Sequence, residues 1–179
     1  MKVFHFTKAD HALSAISEQR LKLSLFDDLN DPFELFSANV TDPKIRKVLT
    51  EFKQKKMASY GLHCFSRQFD NPLLWSYYGD RHRGAALEFE ISDGDVLEVR
   101  YEPKRLLIDW QQRSATGGLS SSDLETFLVT KFKHWEYEDE VRTFCKLDVA
   151  TKDGDLYFDT FSDSLKLVRV FLGACIHHY

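Results

Sequence analysis

Residues 71–90, NPLLWSYYGDRHRGAALEFE, constrain this chain most, because they prescribe a helix, a sharp turn and a strand in immediate succession. Asn71-Pro72 opens the helix, since proline's fixed φ and missing N–H suit a first helical turn. Asp80 to Gly84 closes it with charges and a glycine. Residues 85–91 then alternate, with Ala85, Leu87, Phe89 and Ile91 on one side and Ala86, Glu88 and Glu90 on the other, which predicts a half-buried strand. Trp75, Tyr77 and Tyr78 flank the basic cluster Arg81-His82-Arg83. Rings beside guanidinium groups at the mouth of a strand suit a planar ligand bearing phosphate.

The flanking sequence supplies more strands. Residues 2–6 read as a first strand, with Phe4 and Phe6 on one face and Val3, His5 and Thr7 on the other. Thr7 is placed to cap a helix running to about Gln19, with Asp10 completing a variant capping box. A strand is expected over 21–25, a shaped turn at Asn30-Asp31-Pro32, and a helix from Thr41-Asp42-Pro43 to about Ser59. The basic face of that helix, including Lys44, Arg46 and Lys47, reads as solvated surface or as a contact for an acidic partner. Residues 60–66 form a third strand. Asp93-Gly94 predicts a hairpin into 96–101, and Ser122 with Glu125 predicts a helix cap after a loose stretch at 113–121. Strands close the chain at 140–147, 156–159 and 167–172.

A chain of 179 residues, 43% hydrophobic and 14% aromatic, fits one α+β domain, 1–179, with a substantial core. Its formal net charge of -4 disfavours polyanion binding by overall charge. Without a long apolar run, the expected location is cytoplasmic, with no membrane partner. Cys64, Cys145 and Cys175 are odd in number and lie in apolar runs, which predicts reduced core thiols, and no metal set is evident.

Several residues carry two readings. His5 is either a satisfied structural histidine or a ligand contact. Glu138 and Glu140 share a face if their strand begins early; the alternative is exposed charge, with Glu140 pairing Arg142 or a cross-strand neighbour. Arg81 and Arg83 are phosphate contacts or surface charges, and Trp75 and Trp135 belong to the core or to a cleft wall. Asp95, Glu98 and Arg100 only weakly imitate a metal-dependent nuclease. His63 and Cys64 are adjacent in a strand and face opposite ways, which excludes them as base and nucleophile.

The segments LNDPFE (29–34), CFS (64–66), W-S-x-Y-G followed by HRG (75–84), LEFE, and W-x-Y-E-x-E-x-R (135–142) resemble a widespread, largely uncharacterised bacterial family. More distantly, their order is similar to the ADP-ribosyltransferase superfamily. That resemblance implies a split β-sheet core with a few flanking helices, and NAD as substrate. It implies that Glu140 stabilises an oxocarbenium-like state and that Glu138 engages the acceptor. It further implies that His5 bonds the adenosine ribose, that an aromatic ring from Phe65, Tyr77 or Tyr78 stacks the nicotinamide, and that Thr7 and Ser66 belong to the same NAD site. Replacing Glu140 by Gln is then expected to lower turnover with little loss of stability. The acceptor is water, protein or nucleic acid, and the implied roles include toxin or phage defence with an antitoxin or regulatory partner. A non-catalytic module recognising a nucleotide or a protein is the alternative.

Overall fold

A computed structural model describes residues 1–29, 43–107 and 120–176. The expected turn at 30–36, the helix start at 41–42 and the loose stretch at 113–119 lie outside the described residues. Six strands make one antiparallel sheet: β1 (Lys2–Thr7), β3 (Tyr60–Ser66), β4 (Ala85–Ile91), β5 (Leu97–Glu98), β8 (Glu140–Lys146) and β11 (Leu165–Leu172). Their order is β11-β4-β1-β3-β8-β5. A small antiparallel sheet joins β2 (Arg20–Lys22), β10 (Leu156–Thr160) and β9 (Thr151–Asp153), and β6 (Arg100–Glu102) pairs in parallel with β7 (Thr130–Phe132). The described helices are α1 (Ala9–Glu18), α2 (Pro43–Lys56), α3 (Pro72–Tyr77) and α4 (Ser121–Leu128). The fold is therefore α+β with mostly antiparallel sheet. Among the described residues no helix is long and apolar enough to cross a membrane.

The core lies where α1 covers the large sheet. Ala12 and Ala15 are small enough to bring the helix close to Val3, Phe65, Leu87, Phe89 and Val141. On the opposite face Phe4 meets Phe69 and Phe171, and Phe6 meets Trp75 edge-on at 5.1 Å. β4 is consequently covered on both sides rather than half-buried: Ala86 is fully buried and Glu88 only 3% exposed, its carboxylate reached by Lys2 at 3.0 Å and Arg169 at 3.4 Å. A central strand must bury both faces, and a carboxylate survives there because cations reach it from the two neighbouring strands.

Local chemistry moves several expected boundaries. Thr7 does not cap α1; it is the last residue of β1, paired with Ala85, and Lys8 occupies the cap without a side-chain bond. The strand expected at 21–25 shortens to β2, after which Ser24 bridges Leu62. Asp93-Gly94 lies in a 3-10 turn, not a hairpin, because both edges of β4 are already taken by β1 and β11, and β5 pairs with β8 instead. Ser120, not Ser122, caps α4: its Oγ accepts from Asp123 N at 3.2 Å, and Asp123 Oδ2 accepts from Ser120 N at 2.9 Å. All three cysteines are free, and Cys175 is exposed rather than in the core.

The helix opens at Asn71-Pro72 as expected, and Asn71 Oδ1 caps it by accepting from Leu73 N at 3.0 Å. The turn after α3 is unusual, since Asp80, Arg81 and His82 all have positive φ, of 46, 55 and 66°. Close backbone packing holds it. A Cβ at Gly84 would lie 2.1 Å from the Thr7 carbonyl oxygen, and Gly173 N donates to Gly84 O at 2.9 Å.

Candidate functional site

β1 shares six register pairs with β4 but only Phe4↔Ser66 with β3, whereas β3 stays paired with β8 along its whole length. Beside the β1–β3 junction lies a cavity of about 280 Å³. His5 and Phe6 line it from β1, and Cys64, Phe65 and Ser66 from β3. Tyr78 arrives from the end of α3, Lys131 from β7, Glu138 from the turn before β8, and Glu140 and Arg142 from β8 itself.

The two glutamates do not share an early strand. Residues Lys133–Glu138 form a 3-10 helix, Asp139 turns left-handed at φ 44°, and the strand begins only at Glu140. Arg67 holds the Asp139 carboxylate through Nε at 2.9 Å, and its backbone N–H donates to the Asp139 carbonyl at 3.0 Å. The turn thereby delivers Glu138 and Glu140 to one place from different elements. Neither is an exposed charge, at 5% and 4% exposure.

A buried ion cluster receives them. Lys131 Nζ donates to Glu138 Oε2 at 2.6 Å and to Glu140 Oε2 at 2.9 Å. Arg142, fully buried, donates through Nε to Glu140 Oε1 at 2.8 Å, through Nη2 to Glu140 Oε2 at 3.1 Å, and through Nη1 to the Leu128 carbonyl at 2.6 Å. The Tyr78 hydroxyl donates to Glu138 Oε1, and the Tyr101 hydroxyl accepts from Glu140 N at 2.8 Å. Two carboxylates and two cations balance, which is the condition under which buried charge is tolerated.

The two carboxyls are nevertheless driven apart. Burial pushes Glu140 up, but Arg142 and then Lys131 outweigh it and hold the group at about 2. Burial raises Glu138, and Lys131 offsets this only in part, because Arg142 serves Glu140 rather than Glu138. Such divergence gives a fixed anion beside a group closer to accepting or releasing a proton. His5, half-buried at the cavity, falls to about 4, chiefly through burial and then through His63, so it is a neutral imidazole at pH 7. Its Nδ1 lies 3.4 Å from the Cys64 carbonyl oxygen. Burial, reinforced by Glu140, pushes the Cys64 thiol well up, so it is no ready thiolate.

Of the residues expected at a ligand site, His5, Phe65, Ser66, Tyr78, Glu138 and Glu140 line the one cavity. Thr7, Tyr77, Arg81 and Arg83 are not among its lining. Tyr77 is 69% exposed, 6.3 Å from the Tyr137 ring, and the left-handed turn directs Arg83 back to Asp80 at 3.0 Å. Trp75 does not line the cavity; its ring stands edge-on to Phe6, and its Nε1 donates to the Phe69 carbonyl at 2.6 Å. Glu98 pairs with Arg67 at 3.0 Å and does not line the cavity. Among the described residues no cluster of three or more His, Cys, Asp or Glu side chains is placed to hold a metal.

Sequence reasoning missed Lys131. Its signal is a lysine within the mostly apolar run Phe127-Leu128-Val129-Thr130-Lys131-Phe132, where an ammonium must find buried partners. Comparison of the chain with family models, curated proteins and solved structures gives no match.

Proposed function

We propose that the chain cleaves the nicotinamide–ribose bond of NAD, as an ADP-ribosyltransferase or NAD glycohydrolase built on an ADP-ribosyltransferase-like sheet. The supporting observation is the convergence of His5, Ser66, Tyr78, Glu138 and Glu140, widely separated in sequence, on the cavity beside the β1–β3 junction. At about 280 Å³ the cavity lies near the small end of the ~300–1,000 Å³ range of ligand pockets. It suits the nicotinamide–ribose end of the dinucleotide, with the adenosine end outside. Breaking the glycosidic bond leaves positive charge on the ribose, and Glu140, held in its ionised form by Arg142 and Lys131, is the group to face it. Glu138 takes the proton of the attacking acceptor, and neutral His5 offers a hydrogen bond without adding positive charge.

The test is release of free nicotinamide from NAD by the purified protein, alongside the change in Tm that NAD produces. Release above the uncatalysed rate supports the reading. Absence of release, with no NAD-dependent rise in Tm, overturns it. A second reading, a nucleotide-binding module without turnover, is favoured by the saturation of both carboxylates with protein donors. A rise in Tm with NAD but no nicotinamide selects that alternative.

A further inference from the structure

Lys131 is the one member of the ion cluster that touches both glutamates. It enters from β7, which reaches the site by parallel pairing with β6 in the register Tyr101↔Lys131. The same strand pair supplies the Tyr101 hydroxyl under the Glu140 backbone. The lysine side chain is 4% exposed, so its ammonium answers to the protein and not to solvent. Two carboxylate oxygens within 3 Å of one nitrogen repel strongly once that nitrogen is gone, and such pairs relieve the repulsion by sharing a proton or swinging apart. Arg142 is directed elsewhere: its Nε and Nη2 donate to Glu140 and its Nη1 to the Leu128 carbonyl.

We propose that Lys131 is a positioning residue: its ammonium gathers Glu138 and Glu140 from two different elements into one anionic pair and aims both at the cavity. The catalytic consequence rests on the NAD-cleaving reading; the electrostatic one does not. Lys131 touches no reacting atom in this scheme. It sets where two carboxylates point and in which protonation state they meet a ligand.

The experiment compares wild type with Lys131→Gln and Lys131→Arg. Two readouts are taken: titration of the Glu138 and Glu140 carboxyls by carbon-13 NMR without NAD, and the pH profile of nicotinamide release. In Lys131→Gln the carboxyls are expected to titrate roughly one pH unit or more higher, since that is the least a neighbouring opposite charge commonly supplies. The acid limb of nicotinamide release should move up by about the same amount, and kcat at pH 7, above that limb, should fall because the carboxylates are misplaced, while KM changes little. Lys131→Arg, which retains the charge, should restore most of the wild-type titration. Unchanged carboxyl titration in folded Lys131→Gln overturns the inference whatever the activity. A shifted titration in a protein whose wild type releases no nicotinamide leaves the positioning role standing and removes only the proposed reaction. Should Lys131→Gln fail to fold, the charge-balanced variant Lys131→Gln/Glu138→Gln is used. Glu140 should then titrate higher than in wild type, having lost one of its two cations, and an unchanged value refutes the role.

Discussion

Acidification should weaken this fold through His5 before it reaches any carboxylate. The imidazole is held at about 4 against an ordinary value of 6.5, because burial, and then His63, disfavour the imidazolium. A folded value below the unfolded one contributes stability that is complete above 6.5 and drains away as pH falls towards 4. Between pH 7.5 and pH 5 the linkage relation gives a loss of about 2 kcal/mol, a large share of a typical stability of 5–15 kcal/mol. For a chain of this size the corresponding fall in Tm is roughly 4–8 °C. Glu138 acts in the opposite direction, because its carboxyl is raised and so favours the folded state as pH falls. Glu140, at about 2, loses its contribution only below the ordinary carboxylate range. The assay is urea unfolding of wild type and His5→Gln at several values between pH 7.5 and pH 5. The difference in slope isolates His5, since the other groups are common to both proteins. If the two stability curves run parallel across this window, His5 is not held as a neutral imidazole and the argument fails.

Three further outcomes are expected. Glu140→Gln should destabilise the fold by about 3–5 kcal/mol in denaturant titration, because it takes from buried Arg142 the carboxylate that accepts its Nε and Nη2 donors; this replaces the expectation of little loss of stability. Adding Arg142→Met to Glu140→Gln should recover part of that loss, and no recovery would contradict the pairing. Trp75→Ala should lower stability by roughly 3–5 kcal/mol, since the ring is 9% exposed and its N–H is bonded to Phe69, and an unchanged Tm would contradict its placement. Ser120→Ala should cost about 1 kcal/mol while Ser122→Ala changes stability much less; equal losses, or the reverse order, would return the cap to Ser122.

The strands that sequence patterning located correctly, β3 over Tyr60–Ser66 and β4 over Ala85–Ile91, combine alternation or β-forming residues with a clear stop at each end. Local pattern failed where the deciding contact was distant. Asp93-Gly94 looks like a hairpin because its neighbours are strands, but β1 and β11 already occupy the edges of β4. Ser122 satisfies a capping pattern as well as Ser120 does, and the choice is made by which carboxylate, Glu125 or Asp123, closes the box. Alternation at 136–140 suggests an extended strand, yet a buried carboxylate at Glu138 needs Lys131, and the 3-10 turn with left-handed Asp139 brings it there. The cavity-lining residues His5, Ser66 and Glu140 were legible as polar side chains on strands; the displacement of Tyr77, Arg81 and Arg83 was not, because it follows from three successive left-handed residues after α3.

The ion cluster ties the proposed chemistry to folding. Its four charges cancel only together, so any substitution that tests a catalytic carboxylate also leaves a buried cation short of partners. A loss of activity in Glu140→Gln alone therefore does not separate a missing anion in the transition state from a rearranged wall. The separation comes from charge-balanced pairs. Lys131→Gln/Glu138→Gln keeps Glu140 with Arg142 intact, whereas Glu140→Gln/Arg142→Met keeps Glu138 with Lys131. If Glu140 faces the sugar, the second pair abolishes nicotinamide release however well it folds. The first retains Glu140 with Arg142, and the activity that remains measures what Glu138 and its positioning Lys131 contribute together.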